Sequence, residues 1–440
     1  MSGESGPEVM KPPVGLPDKF RGPIEKSTMG KKEERGTFFR QSGWMVLATT
    51  LGGLLMWAVH KVATACLSES DYGTLGMFLR ALNLMMIPAC GLQAVFAQQT
   101  AIAFDLQARS RLSTLVRQAV LWTFLLWAAV AVGVWFFHVQ IEELFKLSGA
   151  FLALAVLVGL LVLLRPIGVG ILQGEQNFFW VGWSQILDGA GRLGVIALVL
   201  YLFKTTASGA LLGVLAGLFL CIVVCIWKTH PVWRPAGSSV EFWLWVKKLI
   251  PLTLGAGIPL FMVSADTLVV KAAFGADEIN LYAAAGIVTQ AMIFFTLPVT
   301  AVMFPKVARS AAQSEKTSVL LMALGTTGLL SAAVVVGVFL MPELPLRVMF
   351  SANYVAAATL LPWFALAMFP LTMSTVLINN LLARGLYRSV PWFWGVAILY
   401  LVTLLLRHES FGEVIAVIGI YNALLLVVAI FFSFGRSQRA

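Results

Sequence analysis

Charged side chains are scarce in this chain of 440 residues, where Asp, Glu, Lys and Arg together make up 12%. A soluble protein of this size carries about 25% charged residues. Hydrophobic residues instead reach 59%, and the mean hydropathy is +0.87. Apolar runs of about twenty residues recur, each long enough to cross a ~30 Å hydrocarbon layer as a helix. The alternating strands of a membrane barrel are absent from the sequence. The composition therefore predicts a helical integral membrane protein.

Metal ligands and catalytic motifs are also scarce. The four cysteines contain no CxxC pair, and the four histidines are scattered, without cysteine or carboxylate at ligand spacing. Cys221 and Cys225 share one helix face, which favours helix packing over metal binding. The sequence contains no Ser/His/Asp set, HExxH motif, phosphate-binding loop or dinucleotide-binding loop. We therefore predict no metal, no cofactor and no enzymatic activity.

Twelve apolar segments follow a polar N-terminal stretch. Assigning the N terminus to the cytoplasm places 22 Lys and Arg residues on the inner side and 6 on the outer side. This bias predicts that both termini are cytoplasmic. It also explains the net charge of +10 by topology, so no nucleic-acid partner is predicted. The predicted spans are about 42–63, 74–104, 118–138, 149–172, 181–203, 208–228, 244–271, 280–304, 318–341, 354–383, 391–407 and 413–434.

The spans divide the chain into domains. Residues 1–40 are polar and rich in proline, which predicts a disordered cytoplasmic tail. Residues 41–228 form the first predicted six-helix lobe, and residues 244–434 form the second. Residues 229–243 would link the lobes on the cytoplasmic side, and 435–440 would be the cytoplasmic C terminus.

One part of the sequence occurs twice. Lys61–Pro88 and Lys271–Pro298 share a lysine, a tyrosine and a proline at identical spacing, 210 residues apart. The fourth and tenth spans also end alike, in Leu172–Gly174 and Leu382–Gly385. Chance is the alternative explanation, because few residues are identical. Six spans per half is an even number, so the halves would share one orientation. We predict an all-α integral membrane fold of twelve transmembrane helices in two six-helix lobes, related by a pseudo-twofold axis along the membrane normal.

Glycine and proline mark two further spans. Gly209, Gly213 and Gly217 form a small-residue ridge on the sixth span, which lets another helix approach closely. Two prolines and two glycines within Pro251–Pro259 predict a bent or broken seventh span. That bend is either a moving part of the protein or a static kink.

Three arginines lie inside spans rather than at their ends. Arg80 is ~10 Å below the outer surface at 1.5 Å per residue, with Asn83 on the same helix face. Arg165 lies at a similar depth from the inner surface, and Arg192 lies near the middle of the fifth span. An arginine facing lipid costs at least ~2.5 kcal/mol at the membrane centre, so we expect these side chains to face a hydrated interior. They predict an anion-binding cavity, walled mainly by the first lobe, for phosphate or carboxylate.

Each of these residues also has a structural explanation. Asp188 precedes Arg192 by one helical turn, which is ordinary salt-bridge spacing. Pro166 suggests a bend at Arg165. Asp188 and Asp266 are the carboxylates inside spans, and either could carry a proton or bind sodium to couple transport. Each could equally be the ion-pair partner of a basic residue, and this is the interpretation that we favour.

Four segments carry a family resemblance: SESDYGTLGMF after the first span, QGEQNFF after the fourth, the central run IPLFMVSADTLVVKAAFGADEINLYAAAGIV, and FPKVARS at the end of the eighth. In this order they resemble the polysaccharide-biosynthesis, or oligosaccharide flippase, family of the multidrug/oligosaccharidyl-lipid/polysaccharide exporter superfamily. The resemblance covers nearly the whole chain from about residue 40. The chain departs from the peptidoglycan-precursor branch in its long polar tail and in lacking a thirteenth and fourteenth span.

The resemblance implies two lobes around a central cavity, working by alternating access. It implies a cargo such as an undecaprenyl-pyrophosphate-linked oligosaccharide, moved from the inner to the outer leaflet. It also implies that Arg80, Arg165 and Arg192 meet the pyrophosphate.

We therefore expect a flippase that moves a lipid-linked oligosaccharide or polysaccharide precursor across the bacterial inner membrane. Its partners would be the lipid-linked saccharide and membrane lipid. One alternative is a cation-coupled multidrug exporter of the same superfamily, which would require an acidic cavity. Another is a non-transporting membrane subunit that binds polysaccharide-synthesis proteins.

Overall fold

A computed structural model describes residues 31–145, 147–203, 206–233, 242–274, 276–313, 318–349 and 352–435. At some positions inside helices, Arg80 and Asn83 among them, only the backbone is described. Within these ranges the structure is helical and contains no β-strand. The described ranges contain twelve long α-helices and two short ones: α1 Lys31–Cys66, α2 Glu69–Ala101, α3 Leu106–Phe136, α4 His138–Phe145, α5 Gly149–Gly174, α6 Phe178–Phe203, α7 Ala207–Trp233, α8 Phe242–Ala273, α9 Ala276–Ala312, α10 Val319–Leu340, α11 Glu343–Met349, α12 Leu361–Ala383, α13 Val390–Leu406 and α14 Phe411–Phe434. Two 3₁₀ helices, Ala352–Thr359 and Tyr387–Ser389, precede α12 and α13.

Each of the twelve predicted spans contains one long helix, although the start of the tenth, 354–359, lies in a separate 3₁₀ helix before α12. Among the described residues, 11 helices are long and apolar enough to cross a membrane by length and composition. The remaining long helix, α2, has 33 residues. In lipid every backbone N–H and C=O must find a hydrogen-bond partner inside the protein, so apolar segments form continuous helices. The prediction of a multi-pass helical membrane protein is confirmed.

The structure changes the bounds of two predicted segments, the N-terminal tail and the linker between the lobes. α1 begins at Lys31, so residues 31–40 are helical rather than part of a disordered tail. Lys, Glu and Arg in this stretch have high helix propensity, which explains the extension. The rest of the predicted tail lies outside the described residues. In the predicted linker, α7 continues to Trp233 and α8 begins at Phe242, while 234–241 lie outside the described residues, as do 436–440.

The two short helices were not predicted. α4 has 8 residues and α11 has 7, which is too short for a clear hydrophobic period. They occupy equivalent places, between the third and fourth long helices of each lobe. Each combines charged residues with exposed apolar ones, such as Leu144 on α4 and Val348 on α11. We expect both helices to lie along the membrane surface.

The long helices form two lobes with the same internal packing. In the first lobe α5 packs against α2 and α7, and α6 packs against α1 and α7. In the second lobe α12 packs against α9 and α14, and α13 packs against α8 and α14. Between the lobes, the contact of α2 with α8 corresponds to that of α1 with α9. The predicted two-lobe fold is confirmed, and the pseudo-twofold axis passes near the contact between α2 and α9.

The similar ends of the fourth and tenth spans have a structural basis. The left-handed residues that end them are Gln176, with φ 58°, after α5 and Gly385, with φ 75°, after α12. In each case the next backbone N–H donates to a carbonyl in the last turn of the helix, Leu172 O in one and Leu381 O in the other, both at 2.9 Å. This is a common way to end a helix, and its repetition supports a repeat.

The lobes meet mainly at one face of the bundle. We call the face at which α1 begins and α14 ends the terminal face, which the sequence predicts to be cytoplasmic. The largest hydrophobic cluster joins both lobes near this face through residues such as Phe38, Phe96 and Phe304. The three smaller clusters lie in the half of the first lobe away from this face, and none of their described members belongs to the second lobe. Among the described residues, the hydrophobic contacts that join the two lobes therefore lie mainly near the terminal face.

The seventh span is one continuous helix, so the predicted break does not occur. Its proline-rich segment instead lies against the first lobe. A Cβ atom on Gly91 of α2 would lie 1.9 Å from Thr253 Oγ1 and 2.6 Å from Thr253 Cα. At this crossing the two lobes approach so closely that only glycine fits on α2.

Candidate functional site

Three of the predicted site residues lie together in the first lobe. Arg192 Nε donates a hydrogen bond to Asp188 Oδ1 at 2.7 Å, and Arg192 Nη2 donates to Oδ2 at 3.1 Å, both within α6. Arg165 Nη2, on α5, lies 3.7 Å from Asp188 Oδ2. We call Arg165, Asp188 and Arg192 the ion cluster. One carboxylate contacts two guanidinium groups, which leaves a net positive charge.

The three members differ in how well they are satisfied. Asp188 and Arg192 are buried, and their paired geometry offsets the several kcal/mol that burying each ion costs. The Arg165 side chain is 25% exposed, but its Nε is buried and has no hydrogen-bond partner among the described residues. Asp188 therefore acts mainly as the partner of Arg192. Arg165 is the least well satisfied member of the cluster, and its role in anion binding stays a prediction.

The glycine ridge of the sixth span positions this cluster. A Cβ atom on Gly217 of α7 would lie 2.3 Å from the Asp188 carbonyl oxygen and 2.5 Å from Arg192 Cγ. A Cβ atom on Gly213 would lie 2.2 Å from Ile196 Cγ1. The absence of side chains lets α7 lie directly on α6 beside the ion pair. The prediction that this ridge allows close helix approach is confirmed at both glycines.

The other two predicted binding residues cannot be placed in the cluster. The backbone puts Arg80 and Asn83 on α2, in the half of the helix away from the terminal face. Their side chains lie outside the described residues. Their role in an anion-binding cavity stays a prediction.

The second lobe holds a different polar centre. Asp266 on α8 is 3% exposed, and its Oδ2 accepts a hydrogen bond from the Tyr282 hydroxyl of α9 at 2.5 Å. Its Oδ1 is buried and has no hydrogen-bond partner among the described residues. No described cation pairs with Asp266, and the Lys271 side chain lies outside the description. Of the partners described, a tyrosine rather than a basic residue contacts this carboxyl group.

A small cavity adjoins Asp266. Thr289 and Gln290 of α9 supply its other polar walls, and it has room for about one water molecule. Its apolar walls are Met262, Val263, Phe364, Met368 and Ile418. A buried carboxyl group with a free oxygen beside such a cavity can take up a proton. It can also coordinate a small cation together with side-chain oxygens and water.

The tyrosine partner of Asp266 was not predicted, although the repeat in the sequence contained the signal. Tyr282 occupies the position of Tyr72, 210 residues earlier. In the first lobe the Tyr72 hydroxyl lies 3.2 Å from His60 Nδ1 of α1. In both lobes this tyrosine therefore contacts an ionisable side chain of the preceding helix. No hydrogen bond or ion pair among the described residues connects the ion cluster with the Asp266 centre.

Solved structures show where this architecture occurs. The chain is similar to a mutant of the MATE transporter VcmN from Vibrio cholerae, with 11% identity and a TM-score of 0.77, over 93% of this chain and 98% of that one. It is similar to a MATE structure in the bent conformation, with 14% identity and a TM-score of 0.72, over 92% and 95%. An outward-facing multidrug resistance MATE family transporter of the MOP superfamily gives 14% identity and a TM-score of 0.69, over 93% and 98%.

The amino-acid sequence by itself has no comparable match. No protein-family model and no curated protein sequence matches the chain. Identities of 11% and 14% to the solved structures establish the architecture but not the cargo. The chain has the fold of the MATE transporters, with twelve membrane-spanning helices in two lobes.

Proposed function

We propose that this protein is an alternating-access flippase whose cargo is a lipid-linked saccharide with a phosphate or pyrophosphate group. The observation that carries the proposal is the ion cluster, in which two arginines share one carboxylate inside an apolar lobe. A net positive charge at this depth is expensive unless it faces water or a negatively charged ligand. The guanidinium of Arg165 is partly exposed, and its planar group of donors suits phosphate oxygens.

The arrangement of the lobes supports a transport cycle. Among the described residues, the hydrophobic contacts between the lobes lie mainly near the terminal face, as expected if the opposite side is the open one. Rocking of one lobe against the other would close this side and open the terminal face. Arg80 and Asn83, on the part of α2 away from the terminal face, would then lie along the route of the cargo.

Asp266 is the residue we assign to energetic coupling. Its unpaired Oδ1 beside a water-sized cavity provides a place for a proton or a sodium ion. Because α8 also crosses α2 at Gly91, a change at Asp266 occurs on a helix that contacts both lobes.

The test is a leaflet-transfer assay in vesicles. Purified protein is reconstituted with a fluorescent pyrophosphate-linked saccharide on a polyprenyl chain, and a membrane-impermeant quencher reports the fraction in the outer leaflet. We expect the wild-type protein to accelerate transfer. Arg165→Gln should slow it about tenfold or more, because a hydrogen bond to a charged group contributes ~1.5–3 kcal/mol.

Arg347→Gln is the matched control, since Arg347 lies on α11 in an exposed ion pair with Glu343. It should transfer the probe at the wild-type rate. Equal transfer of an uncharged polyprenyl saccharide, or full activity of Arg165→Gln, would contradict the proposal.

A second candidate is a cation-coupled exporter of small molecules. The free carboxyl oxygen of Asp266 favours it, and one similar structure is named as a multidrug resistance transporter. In this case vesicles with an imposed proton or sodium gradient would move a cationic dye, and Asp266→Asn would abolish the dependence on the gradient. Glu343→Gln is the control for loss of a carboxylate. A protein that moves neither probe would instead fit the non-transporting membrane subunit.

A further inference from the structure

Apolar contacts make up most of the interface between the two lobes. At the terminal face, hydrogen bonds from side-chain amides also connect the lobes. Gln98, in the last turn of α2, is 7% exposed. Its Nε2 donates to the carbonyl oxygens of Leu382, at 3.1 Å, and Ala383, at 3.0 Å, in the last turn of α12. Its Oε1 accepts a hydrogen bond from the Tyr387 hydroxyl at 3.0 Å. One glutamine of the first lobe thus binds three groups of the second.

A second glutamine makes a similar connection. Gln173, in the last turn of α5, is 6% exposed, and its Nε2 donates to the carbonyl oxygen of Ala301 on α9 at 2.8 Å. Its Oε1 accepts from Gln93 Nε2 of α2 at 2.9 Å. Gln93 and Gln173 belong to the same lobe, so the hydrogen bond between them keeps the amide of Gln173 oriented towards the other lobe.

These two connections are related by the pseudo-twofold axis. Gln98 joins α2 to the end of α12, and Gln173 joins the end of α5 to α9. Because α2 corresponds to α9 and α5 corresponds to α12, the two interfaces are equivalent. The first lobe supplies the amide side chain in both cases, and the second lobe mainly supplies backbone carbonyl groups.

We propose that Gln98 and Gln173 form a latch that holds the lobes closed at the terminal face and must be broken in each transport cycle. This inference rests on the proposed alternating-access function and names the contacts that regulate it. The carbonyl groups of Leu382 and Ala383 lie at the C-terminus of α12, where helix carbonyls lack their full set of intrahelical partners. Ala301 lies inside α9 but four residues before Pro305, which has no N–H to donate to it. These carbonyl groups can therefore accept an incoming amide. Water can satisfy the same groups once the lobes separate, so the latch can open without leaving buried polar groups unpaired.

The test is a distance measurement that needs no cargo. Spin labels on Gln107→Cys, at the start of α3, and Gln313→Cys, just after α9, report the separation of the lobes at the terminal face, where both positions are exposed. Cys66 and Cys90 are changed to alanine in every variant. Cys221 and Cys225 are buried and stay.

Pulsed electron resonance should give mainly one short distance for the otherwise unmodified protein. In Gln98→Ala the ratio of long to short distances should rise about tenfold, because three polar contacts across the lobes are lost. Gln173→Ala should produce a smaller rise. Tyr387→Phe removes one hydroxyl and keeps the ring, so it should fold even where Gln98→Ala does not, and its rise should be about threefold or more.

Gln185→Ala is the matched control. Gln185 Oε1 accepts a hydrogen bond from Thr49 at 3.1 Å, but both residues belong to the first lobe. Its distance distribution should equal that of the parent. An unchanged distribution in Gln98→Ala and Tyr387→Phe, or an equal change in Gln185→Ala, would overturn the latch. A shift in distance without any transfer of the saccharide probe would support the latch and count against the proposed cargo.

Discussion

The two lobes share a fold but differ in the chemistry at their polar centres. The first lobe buries full charges, with Asp188 between Arg165 and Arg192. The second buries one carboxyl group, Asp266, hydrogen-bonded to a tyrosine and otherwise open to a small cavity. Helix packing can be repeated because it depends on the size and spacing of apolar side chains. The few polar groups inside each lobe are free to diverge, and the proposed function assigns cargo binding to the first lobe and ion coupling to the second.

The largest expected effect comes from removing the central carboxylate of the ion cluster. Asp188→Asn should destabilise the protein by about 3–5 kcal/mol, because it leaves two arginines in a mostly buried site without a counter-charge. Asp266→Asn should cost at most about 1.5 kcal/mol, since the amide has the same shape and can still accept from Tyr282. Thermal unfolding of the detergent-solubilised protein measures both. Equal shifts would remove the proposed difference between the lobes.

The next largest loss of stability is expected from disturbing the helix packing beside the ion cluster. Gly217→Ala should destabilise the protein by about 1–3 kcal/mol, because its Cβ would overlap the backbone of α6 at Asp188. Gly194→Ala, on α6 itself, meets open space and should be neutral or stabilise by up to about 1 kcal/mol. The same unfolding measurement compares the two alanines. A stable Gly217→Ala protein would show that α7 does not need to approach α6 this closely.

The repeated tyrosines allow the lobes to be compared at equivalent positions. Tyr282→Phe should cost about 1–3 kcal/mol, because it removes the described hydrogen-bond partner of a buried carboxyl group. Tyr72→Phe should cost about 0.5–1 kcal/mol, since His60 is only half-buried and can bind water instead. A larger effect of Tyr72→Phe would mean that stability depends more on the hydrogen bond to His60 than on the hydrogen bond to Asp266.

The smallest effect is expected outside both centres. Glu343→Gln breaks an exposed ion pair on α11 and should change stability by no more than about 1 kcal/mol. High salt should reduce even this difference, because exposed charges are screened. A larger change would indicate that α11 contributes to the fold of the second lobe.

Sequence reasoning worked best for features with a period or a fixed spacing. The helix of the fourth predicted span, 149–172, ends only two residues later than expected. The ridge of Gly213 and Gly217 lies where a neighbouring helix approaches. Such features are local in the chain, and the lipid environment strengthens them because each segment must satisfy its own backbone.

Sequence reasoning was weaker for partners that are distant in the chain. It left two roles open for Asp188, ion coupling and ion pairing, and the structure pairs this residue with Arg192. It favoured a basic partner for Asp266, whereas Tyr282 is the partner described. It did not indicate Gln98, whose partners lie more than 280 residues away. The direction of a buried polar side chain depends on which helices cross beside it, and no periodicity contains that information.

The sequence alone determined that this chain crosses a membrane as twelve helices in two similar halves, because hydropathy and residue spacing act within single segments. Only the tertiary structure decided which polar groups meet, and at which face the lobes are closed. Those outcomes depend on close approaches between distant helices, such as Gly91 against Thr253, where the presence or absence of one side chain sets the distance between the lobes.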